Sequence, residues 1–334
     1  MISTCSILGD ADNVSCFKYD DLKDMSTYLT RHYNVNVPNF NNKHALYNFI
    51  SPHINGVTSC KNEDCWTEHN IGDNFKERFV PMYPKSWDKK PRTWLTTSDI
   101  NRVLRQFDKA YDEFFFAGAV PIDFDKKEKD GYCPVSDICK IDLKKLYKKG
   151  IRKIGFVFNT DDSDEEGEHW FSAFIDLKGI PKRDLLQTTL FGGNRSKKKS
   201  VSKLRKKINK LKDETICAMY VFDSVGDSAP PQIEKFYRRM KKNAKKDLGI
   251  KLHMFENDVE HQFSDGECGV YSIYFIENML RRNFIDVIED VKKDKEIYEY
   301  RKKYFRKNIK DYTKKRKKKK KKKKTKKKKK TKKG

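Results

Sequence analysis

The residues best suited to covalent chemistry are Gln262 and Cys268, which lie six positions apart. A cysteine reacts as its thiolate, and because a free thiol titrates near ~8.5 it needs a neighbour that favours the anion. An imidazolium and the amino end of a helix both have this effect. Residues 269–280 are mostly apolar and contain no proline, which predicts a buried helix. We therefore expect Cys268 in the first turn of a core helix, as a nucleophile.

Two residues upstream could complete such a site. His169 begins an apolar segment typical of a strand, and Asp223 ends another, so their side chains would meet if the strands were neighbours. Asp223 would then orient His169 towards Cys268, as the third group of a nucleophile–base pair does. Gln262 and the backbone N–H of Cys268 would hold the oxyanion on the attacked carbonyl. The set predicts a thiol protease.

The sequence also offers rival assignments. His253 and His261 are alternative bases, and either could be an ordinary surface histidine. Asp176 is closer to His169 in sequence than Asp223 is, and could orient it instead. A lone buried cysteine is more often a small apolar residue than a nucleophile. The prediction therefore depends on the whole ordered set and not on any single residue.

In several places the chain resembles the ubiquitin-like-protein-specific cysteine proteases, the family of the SUMO and adenovirus proteases. These places are residues 94–100, His169 with Trp170, Asp223 with Ser224, and residues 262–271. The resemblance covers about residues 91–285. It implies an α+β fold with a papain-like core, in which the catalytic order is permuted to His, Asp and Cys. It also implies that Trp94 and Trp170 form a tunnel over a Gly-Gly dipeptide, since only glycines pass two indole faces without a Cβ clash.

Within this family, the sequence looks most like the polyprotein and core-protein proteases of large DNA viruses. The resemblance implies cleavage of protein substrates after Gly-Gly-like sites, in the maturation of viral core or structural proteins. No cofactor is expected. Removal of SUMO or ubiquitin from conjugates is the alternative within the enzyme class. An inactive protease fold that serves as a nucleic-acid-binding virion protein is the alternative outside it.

The chain departs from the family pattern between the two predicted strands. Residues from about 179 to 215 form a Lys-rich insertion in which Leu204, Ile208 and Leu211 have helical spacing, so we expect a surface helix there. Inside it, residues 190–194 resemble a hydrophobic-x-Gly-Gly site, which could be cut by the enzyme itself or form a flexible turn. Glu267 replaces the aspartate that is common before the cysteine.

The 334 residues are long enough for a protease domain and a smaller module. We predict a partly helical N-terminal module in residues 1–90 and the protease domain in residues 91–300. Cys60, Cys65 and His69 could be half of a zinc site, but their spacing is not standard, and we predict cysteines packed in a turn and no metal. The eight cysteines lack a tight framework and fit a reducing compartment.

The tail, residues 301–334, carries most of the charge. Lys or Arg fills 18 of the 20 positions 314–333, and the formal net charge of the whole chain is +26. Because such a segment buries no apolar area, we predict that it is disordered and binds nucleic acid without sequence preference. A nuclear-localisation signal is the other interpretation. The expected location is the virion and the host cytoplasm, in the viral factory, with the host nucleus as the alternative.

A run of six carboxylates in residues 161–168 directly precedes His169. Most such runs are solvated loops. The sharper hypothesis is that this run favours the protonated imidazole and attracts basic substrates. Elsewhere, no run of 18 apolar residues occurs, so no membrane span is predicted, and the first residues do not have the pattern of a signal peptide.

Overall fold

The protein was analysed as a computed structural model. It describes residues 4–10, 12, 14–187, 195–290 and 292–307. These residues form two compact units. One contains the described residues up to Pro91 together with those from Lys303 onward, and the other runs from Arg92 to Lys302. No helix within these ranges is long and apolar enough to cross a membrane.

The first unit is built from two α-helices and short 3-10 helices. They are α1 (Tyr19–Tyr33), α2 (Lys43–Thr58) and the 3-10 helices Glu63–Glu68, Asp73–Arg78 and Lys85–Asp88. The core centres on Phe17, whose ring stacks on Trp66 with centroids 5.6 Å apart and meets Phe79 edge-on at 5.2 Å. Buried residues of α1 and α2 join this cluster. The prediction of a partly helical N-terminal module is confirmed.

Six of the eight cysteines are paired. Cys5 is bonded to Cys16, Cys60 to Cys65, and Cys133 to Cys139, at sequence separations of 11, 5 and 6 residues. The thiols of Cys217 and Cys268 are free. The structure thus differs from the expected set of unpaired cysteines, because in each pair a short stretch of chain turns back and brings the two side chains together.

The second unit contains a five-stranded sheet whose strands lie side by side in chain order. They are β1 (Phe114–Val120), β2 (Lys153–Asn159), β3 (Trp170–Pro181), β4 (Thr215–Phe222) and β5 (Leu252–Glu256). The pairs β2–β3 and β3–β4 are antiparallel, and the outer pairs are parallel. Since β3 follows His169 and β4 ends before Asp223, these two residues lie at the same end of neighbouring strands.

Helices cover both faces of this sheet. The helices that follow Arg92 are α3 (Thr97–Ala110), α4 (Leu143–Lys148), α5 (Lys182–Leu186), α6 (Arg195–Asn209), α7 (Pro231–Leu248), α8 (Cys268–Met279), α9 (Phe284–Glu289) and α10 (Asp294–Tyr304), with a 3-10 helix at Asp137–Lys140. On one face, Phe236 of α7 meets Phe156 of β2 edge-on at 5.3 Å. On the other, Phe275 of α8 stacks on Phe222 of β4 at 4.9 Å. Because both faces of the strands are covered, they are apolar almost throughout. The predicted α+β class is confirmed.

The Lys-rich insertion contains helix α6 and connects β3 to β4. Val201, Leu204 and Ile208 of this helix are buried. Arg205 forms an ion pair with Glu289 of α9 at 3.1 Å. The helix expected at the surface is therefore packed on the second unit along one side. Residues 190–194, with the Gly-Gly sequence, lie outside the described residues.

Ordered structure continues past residue 301, where we predicted that the tail begins. Helix α10 runs through that position, and Phe305 and Arg306 after it are buried. The Arg306 guanidinium donates a hydrogen bond to Asp64 at 2.9 Å. The predicted start of the tail is therefore wrong, because apolar packing and a buried ion pair hold the chain as far as these residues. The basic run 314–333 lies outside the described residues.

Candidate active site

The carboxylate of Asp223 holds the ring of His169. Strands β3 and β4 pair with Ser172 opposite Phe222, which brings the residue before β3 close to the residue after β4. The Nε2 atom of His169 is 3.0 and 3.1 Å from the two carboxylate oxygens of Asp223. Asp223 is buried, so this interaction is shielded from water and strengthened by the low local dielectric.

Cys268 is the first residue of α8, and its interaction with the imidazole of His169 raises the pKa of that ring. Its side chain is buried, and the side chain of the N-cap residue, Glu267, does not cap the amino end of the helix. The first backbone N–H groups of a helix have no partner within it, and they form the positive end of the helix dipole. Cys268 therefore lies at the amino end of α8 and interacts with the imidazole of His169.

The surroundings of His169 favour its protonated form. Burial lowers the pKa of the imidazole, but the hydrogen bonds and charges of Asp223 and Cys268 outweigh burial and raise the pKa from 6.5 to about 10. The imidazolium is therefore the main form at neutral pH. A protonated base beside the sulfur is the resting arrangement that an activated thiol nucleophile needs.

Asn257, which we did not single out in the sequence, fixes the backbone of Asp223. Its Oδ1 accepts the Asp223 backbone N–H at 2.8 Å, and its Nδ2 donates to the Asp223 carbonyl oxygen at 2.8 Å. Asn257 is 2% exposed, so both bonds form in a buried setting. Its position just after β5 carries no sequence signal, because an asparagine in a loop is common and only the pairing of β4 with β5 places it here.

The residue after Asp223 holds the proposed oxyanion donor. Ser224 Oγ donates to Gln262 Oε1 at 2.9 Å, and both side chains are buried. The Ser224 carbonyl oxygen accepts the backbone N–H of Gln262 at 2.9 Å and of His261 at 2.8 Å. The Gln262 amide oxygen is bound in this way, and its NH2 group is the predicted oxyanion donor.

The rival residues take part in other interactions. The Nε2 atom of His253 is 3.1 Å from Asp213, and burial lowers the pKa of His253. The ring of His261 stacks on Phe222 at 5.7 Å. Asp176 accepts the backbone N–H groups of residues 178 and 179, towards the far end of β3. Of the three histidines, His169 is the one that the structure brings to Cys268.

Trp94 precedes Leu95 in the chain, and Trp170 is hydrogen-bonded to Leu95. Trp170 is buried, and its indole N–H donates to the Leu95 carbonyl oxygen at 2.9 Å. Trp94 is 44% exposed, and its Cδ1 lies 3.5 Å from the place where Gly266 would carry a Cβ. At Gly269, a Cβ would lie 3.0 Å from Leu95 Cβ. Both tryptophans are thus linked to the segment of residues 94–95. This segment lies against Gly266 and Gly269, which precede and follow Cys268 in the chain.

The possible zinc ligands are placed together, but with their sulfurs joined. Cys60, Cys65 and His69 have their ligand atoms within 4.8 Å of one another. Cys60 and Cys65 form a disulfide, which removes the two thiolates that zinc would bind. These residues therefore do not fit a zinc ion in this state.

A buried thiol at a helix start, a protonated imidazole and an orienting carboxylate are the parts of a cysteine peptidase. The sequence order His169, Asp223, Cys268 matches the permuted order that the resemblance implies. The fold and the site thus define a class, that of thiol proteases with an α+β core.

Comparison with known proteins shows which proteases the chain is similar to. Residues 152–316 match the C-terminal catalytic domain of the Ulp1 protease family. A thiol protease named in Acanthamoeba polyphaga mimivirus is 24% identical over 320 residues, covering 89% of this chain and 91% of the relative. A protein of African swine fever virus, named as a SUMO-1 cysteine protease, is 23% identical over 226 residues, covering 64% of this chain and 67% of the relative.

The fold comparison agrees with the sequence matches. The crystal structure of an African swine fever virus protease superposes with a TM-score of 0.57 at 18% identity, covering 92% of this chain and 97% of that one. Residues 152–316 of this chain are thus similar to the catalytic domain of the Ulp1 protease family, and the chain is a thiol protease. The resemblance inferred from the motifs is confirmed. Trp94 precedes the residues that match the family.

Proposed function

We propose that the protein is an endopeptidase that cleaves after Gly-Gly-like sites and matures viral core or structural proteins. The observation that carries the cleavage specificity is the arrangement of Trp94 and Trp170 around Leu95. One indole is fixed by its bond to the Leu95 carbonyl oxygen, and the other is exposed beside Gly266. A substrate side chain that passes these rings would meet them, whereas a glycine has no Cβ to do so.

In the first half of the reaction, the Cys268 thiolate attacks the carbonyl carbon of the second glycine. A C–S bond forms and the carbonyl oxygen becomes an oxyanion, which the Gln262 NH2 group and the Cys268 backbone N–H stabilise. The tetrahedral intermediate then collapses and the C–N bond breaks. His169 gives its proton to the leaving amine, and Asp223 keeps the ring in place while its charge changes.

In the second half, water resolves the thioester. His169, now neutral, takes a proton from the water as it attacks the acyl carbon. The C–S bond breaks, the thiolate is restored, and the carboxylic acid product leaves. The two carboxylate contacts of Asp223 with the ring would stabilise the imidazolium that forms again.

The viral role is supported by the relatives. Two of them are named as proteases of large DNA viruses. One match covers 89% of this chain and the other covers 64% of it. The basic run 314–333 would hold the enzyme on packaged nucleic acid, because clustered lysines bind phosphate backbones without sequence preference. We propose the virion and the viral factory as its location, with the host nucleus as the alternative.

Specificity for glycine can be tested with matched fluorogenic peptides. Leu-Arg-Gly-Gly should be cleaved at least ~10-fold faster, in kcat/KM, than the peptides with alanine in place of either glycine. Trp94→Ala should narrow this ratio because it removes one ring, and Trp94→Phe should keep most of it. Equal cleavage of the glycine and alanine peptides by the unmodified protein would contradict the proposal.

Removal of a folded modifier is the second candidate function. It is favoured by two exposed aromatic side chains near the site, Trp94 and Phe263, since Phe263 is 72% exposed and directly follows Gln262. One relative is also named as a SUMO-1 protease. Cleavage of a SUMO fusion with a much higher kcat/KM than the free Gly-Gly peptide, and dependent on Phe263, would favour this function over core-protein maturation.

A further inference from the structure

A buried arginine on the last helix of the second unit binds two segments of the active site at once. Arg301 of α10 donates from Nε to Glu267 Oε2 at 2.9 Å. It donates from Nη2 to the Gly266 carbonyl oxygen at 2.6 Å and from Nη1 to the Thr93 carbonyl oxygen at 2.7 Å. The side chains of Arg301 and Glu267 are 3% and 1% exposed. All three nitrogens of the guanidinium are thus used inside the protein.

The two segments lie next to residues with proposed roles in catalysis and in substrate binding. Gly266 and Glu267 immediately precede Cys268, whose backbone N–H is a proposed oxyanion donor. Thr93 immediately precedes Trp94, the exposed ring beside the site. Arg301 therefore links the turn that carries the nucleophile to the segment that carries a substrate-contacting ring.

The segments also contact each other directly, so their spacing is closely defined. Gly266 has φ +94°, and a Cβ there would collide with the Arg92 carbonyl oxygen and contact Trp94. Three residues further on, a Cβ at Gly269 would crowd Leu95. Tyr298 of α10 adds a contact, since its ring lies 5.3 Å from the Arg92 guanidinium carbon. A small shift of one segment would therefore move the other.

The ion pair of Arg301 with Glu267 is better explained by the local geometry that it fixes than by a contribution to the free energy of unfolding. Two buried charges lose hydration, and their attraction often only offsets that loss. Burial raises the pKa of the Glu267 carboxyl, although Arg301 acts in the opposite direction. Its second oxygen, Oε1, has no hydrogen-bond partner among the described residues. A planar guanidinium with three fixed acceptors, in contrast, sets distances and angles that a lysine cannot reproduce.

We propose that Arg301 is a positioning residue for catalysis, which sets the turn before Cys268 and the segment before Trp94. Through the first contact it places the Cys268 backbone N–H for the oxyanion, and through the second it places Trp94 over the substrate. Helix α10 is thus part of the catalytic apparatus. The inference rests on protease activity and not on the preference for glycine.

The test compares Arg301→Lys with Arg306→Lys in the full chain. The control variant, Arg306→Lys, changes a comparable buried ion pair in the first unit. There the Arg306 guanidinium is 2.9 Å from the Asp64 carboxylate, and both side chains are buried. Turnover of the peptide that the unmodified protein cleaves best is measured at temperatures where each variant is folded. Alkylation of Cys268 by iodoacetamide is measured beside it, because this small reagent needs neither the oxyanion donors nor Trp94.

For Arg301→Lys we expect kcat/KM to fall about 10²-fold, the usual effect of a misplacement of ~1 Å. The alkylation rate should stay within a few-fold, and Arg306→Lys should keep full turnover whatever its thermal stability. Equal turnover of the two lysine variants would overturn the proposal, as would a parallel loss of turnover and alkylation in Arg301→Lys.

A second variant keeps the proposal testable if Arg301→Lys does not fold. Glu267→Gln retains an acceptor for Arg301 but loses the charge, whereas Glu267→Ala loses the contact. The positioning role predicts that the glutamine variant keeps turnover within a few-fold and that the alanine variant loses at least ~10-fold. Equal turnover of both, or an equal loss, would contradict it.

Discussion

Ser224 donates a hydrogen bond to the Gln262 amide oxygen at 2.9 Å, while the preceding residue, Asp223, holds the ring of His169. One strand end thus positions both the proposed general acid and the proposed oxyanion donor. Because the two residues are adjacent, a shift of the end of β4 would affect both halves of the chemistry. Asn257 stabilises this strand end through its two bonds with the Asp223 backbone.

The first prediction concerns Ser224→Ala. Loss of its hydroxyl frees the amide of Gln262 to rotate, so we expect kcat to fall about 10-fold. Gln262→Ala should lower kcat by about 10²–10³, the usual effect of losing an oxyanion donor. The double variant should be no slower than Gln262→Ala, because Ser224 acts only through that residue. Additive losses in steady-state kinetics would show that Ser224 has a separate role.

The second prediction concerns pH. The pKa of His169 is raised to about 10, so the imidazolium that protonates the leaving amine is present below that pH and is lost above it. Activity should therefore fall as pH rises through about 10. In Asp223→Asn the fall should occur at lower pH, since a hydrogen bond and a charge that raise this pKa are weakened or removed. We also expect kcat to drop about 10²–10⁴-fold.

Profiles of kcat against pH for the two proteins check this prediction. The substitution leaves the sequence of β4, including Phe222, unchanged. The circular dichroism spectrum of the variant is compared with that of the unmodified protein as the folding control. An alkaline limb at the same pH in both proteins would mean that Asp223 does not act on His169.

The chemistry of the site could be predicted from sequence, because it depends on residue types and short spacings. Gln262 lies in the loop that leads to α8, and Cys268 is the first residue of that helix. The apolar segments beside His169 and Asp223 predict strands without further information. The residues that position them could not be found in this way. Arg301 is one of 74 basic residues, and nothing in its neighbourhood distinguishes it from the others before the chain is folded.

The bounds of a segment are harder to predict than its type. The interpretation of residues 301–334 as a disordered tail includes Phe305 and Arg306, which are buried. The insertion helix α6 has the expected surface character, since residues 202, 203, 206 and 207 are exposed while Leu204 and Ile208 pack inside. At the start of the tail a few residues decide the outcome, and Asp64, the partner of Arg306, is distant in sequence.

The third prediction concerns the acidic run before His169. Its residues 162, 164, 165, 166 and 168 are exposed, whereas Asp161 accepts the backbone N–H of Gly167 at 3.2 Å. Replacement of the five exposed carboxylates by amides should lower kcat/KM for Lys-rich peptides more than for neutral ones. The difference should disappear in ~1 M salt, where the Debye length is ~3 Å. Equal effects on both peptides at low salt would contradict attraction of basic substrates.

The fourth prediction concerns the basic run 314–333. Deletion of residues 314–334 should abolish retention on double-stranded DNA at low salt, because most phosphate contacts are lost. Cleavage of a short peptide should not change. Gel-shift titrations at several salt concentrations measure the first effect, and steady-state kinetics the second. Retention that survives the deletion would assign DNA binding to the folded units.

The most direct test of the account is hydrolysis of the Leu-Arg-Gly-Gly peptide by Cys268→Ala and by Cys217→Ala. These are the two cysteines with free thiols, and burial raises the pKa of Cys217 to about 11, which keeps that thiol protonated. We predict that turnover is lost in Cys268→Ala and unchanged in Cys217→Ala. Turnover that persists without Cys268 would contradict the catalytic role of the site.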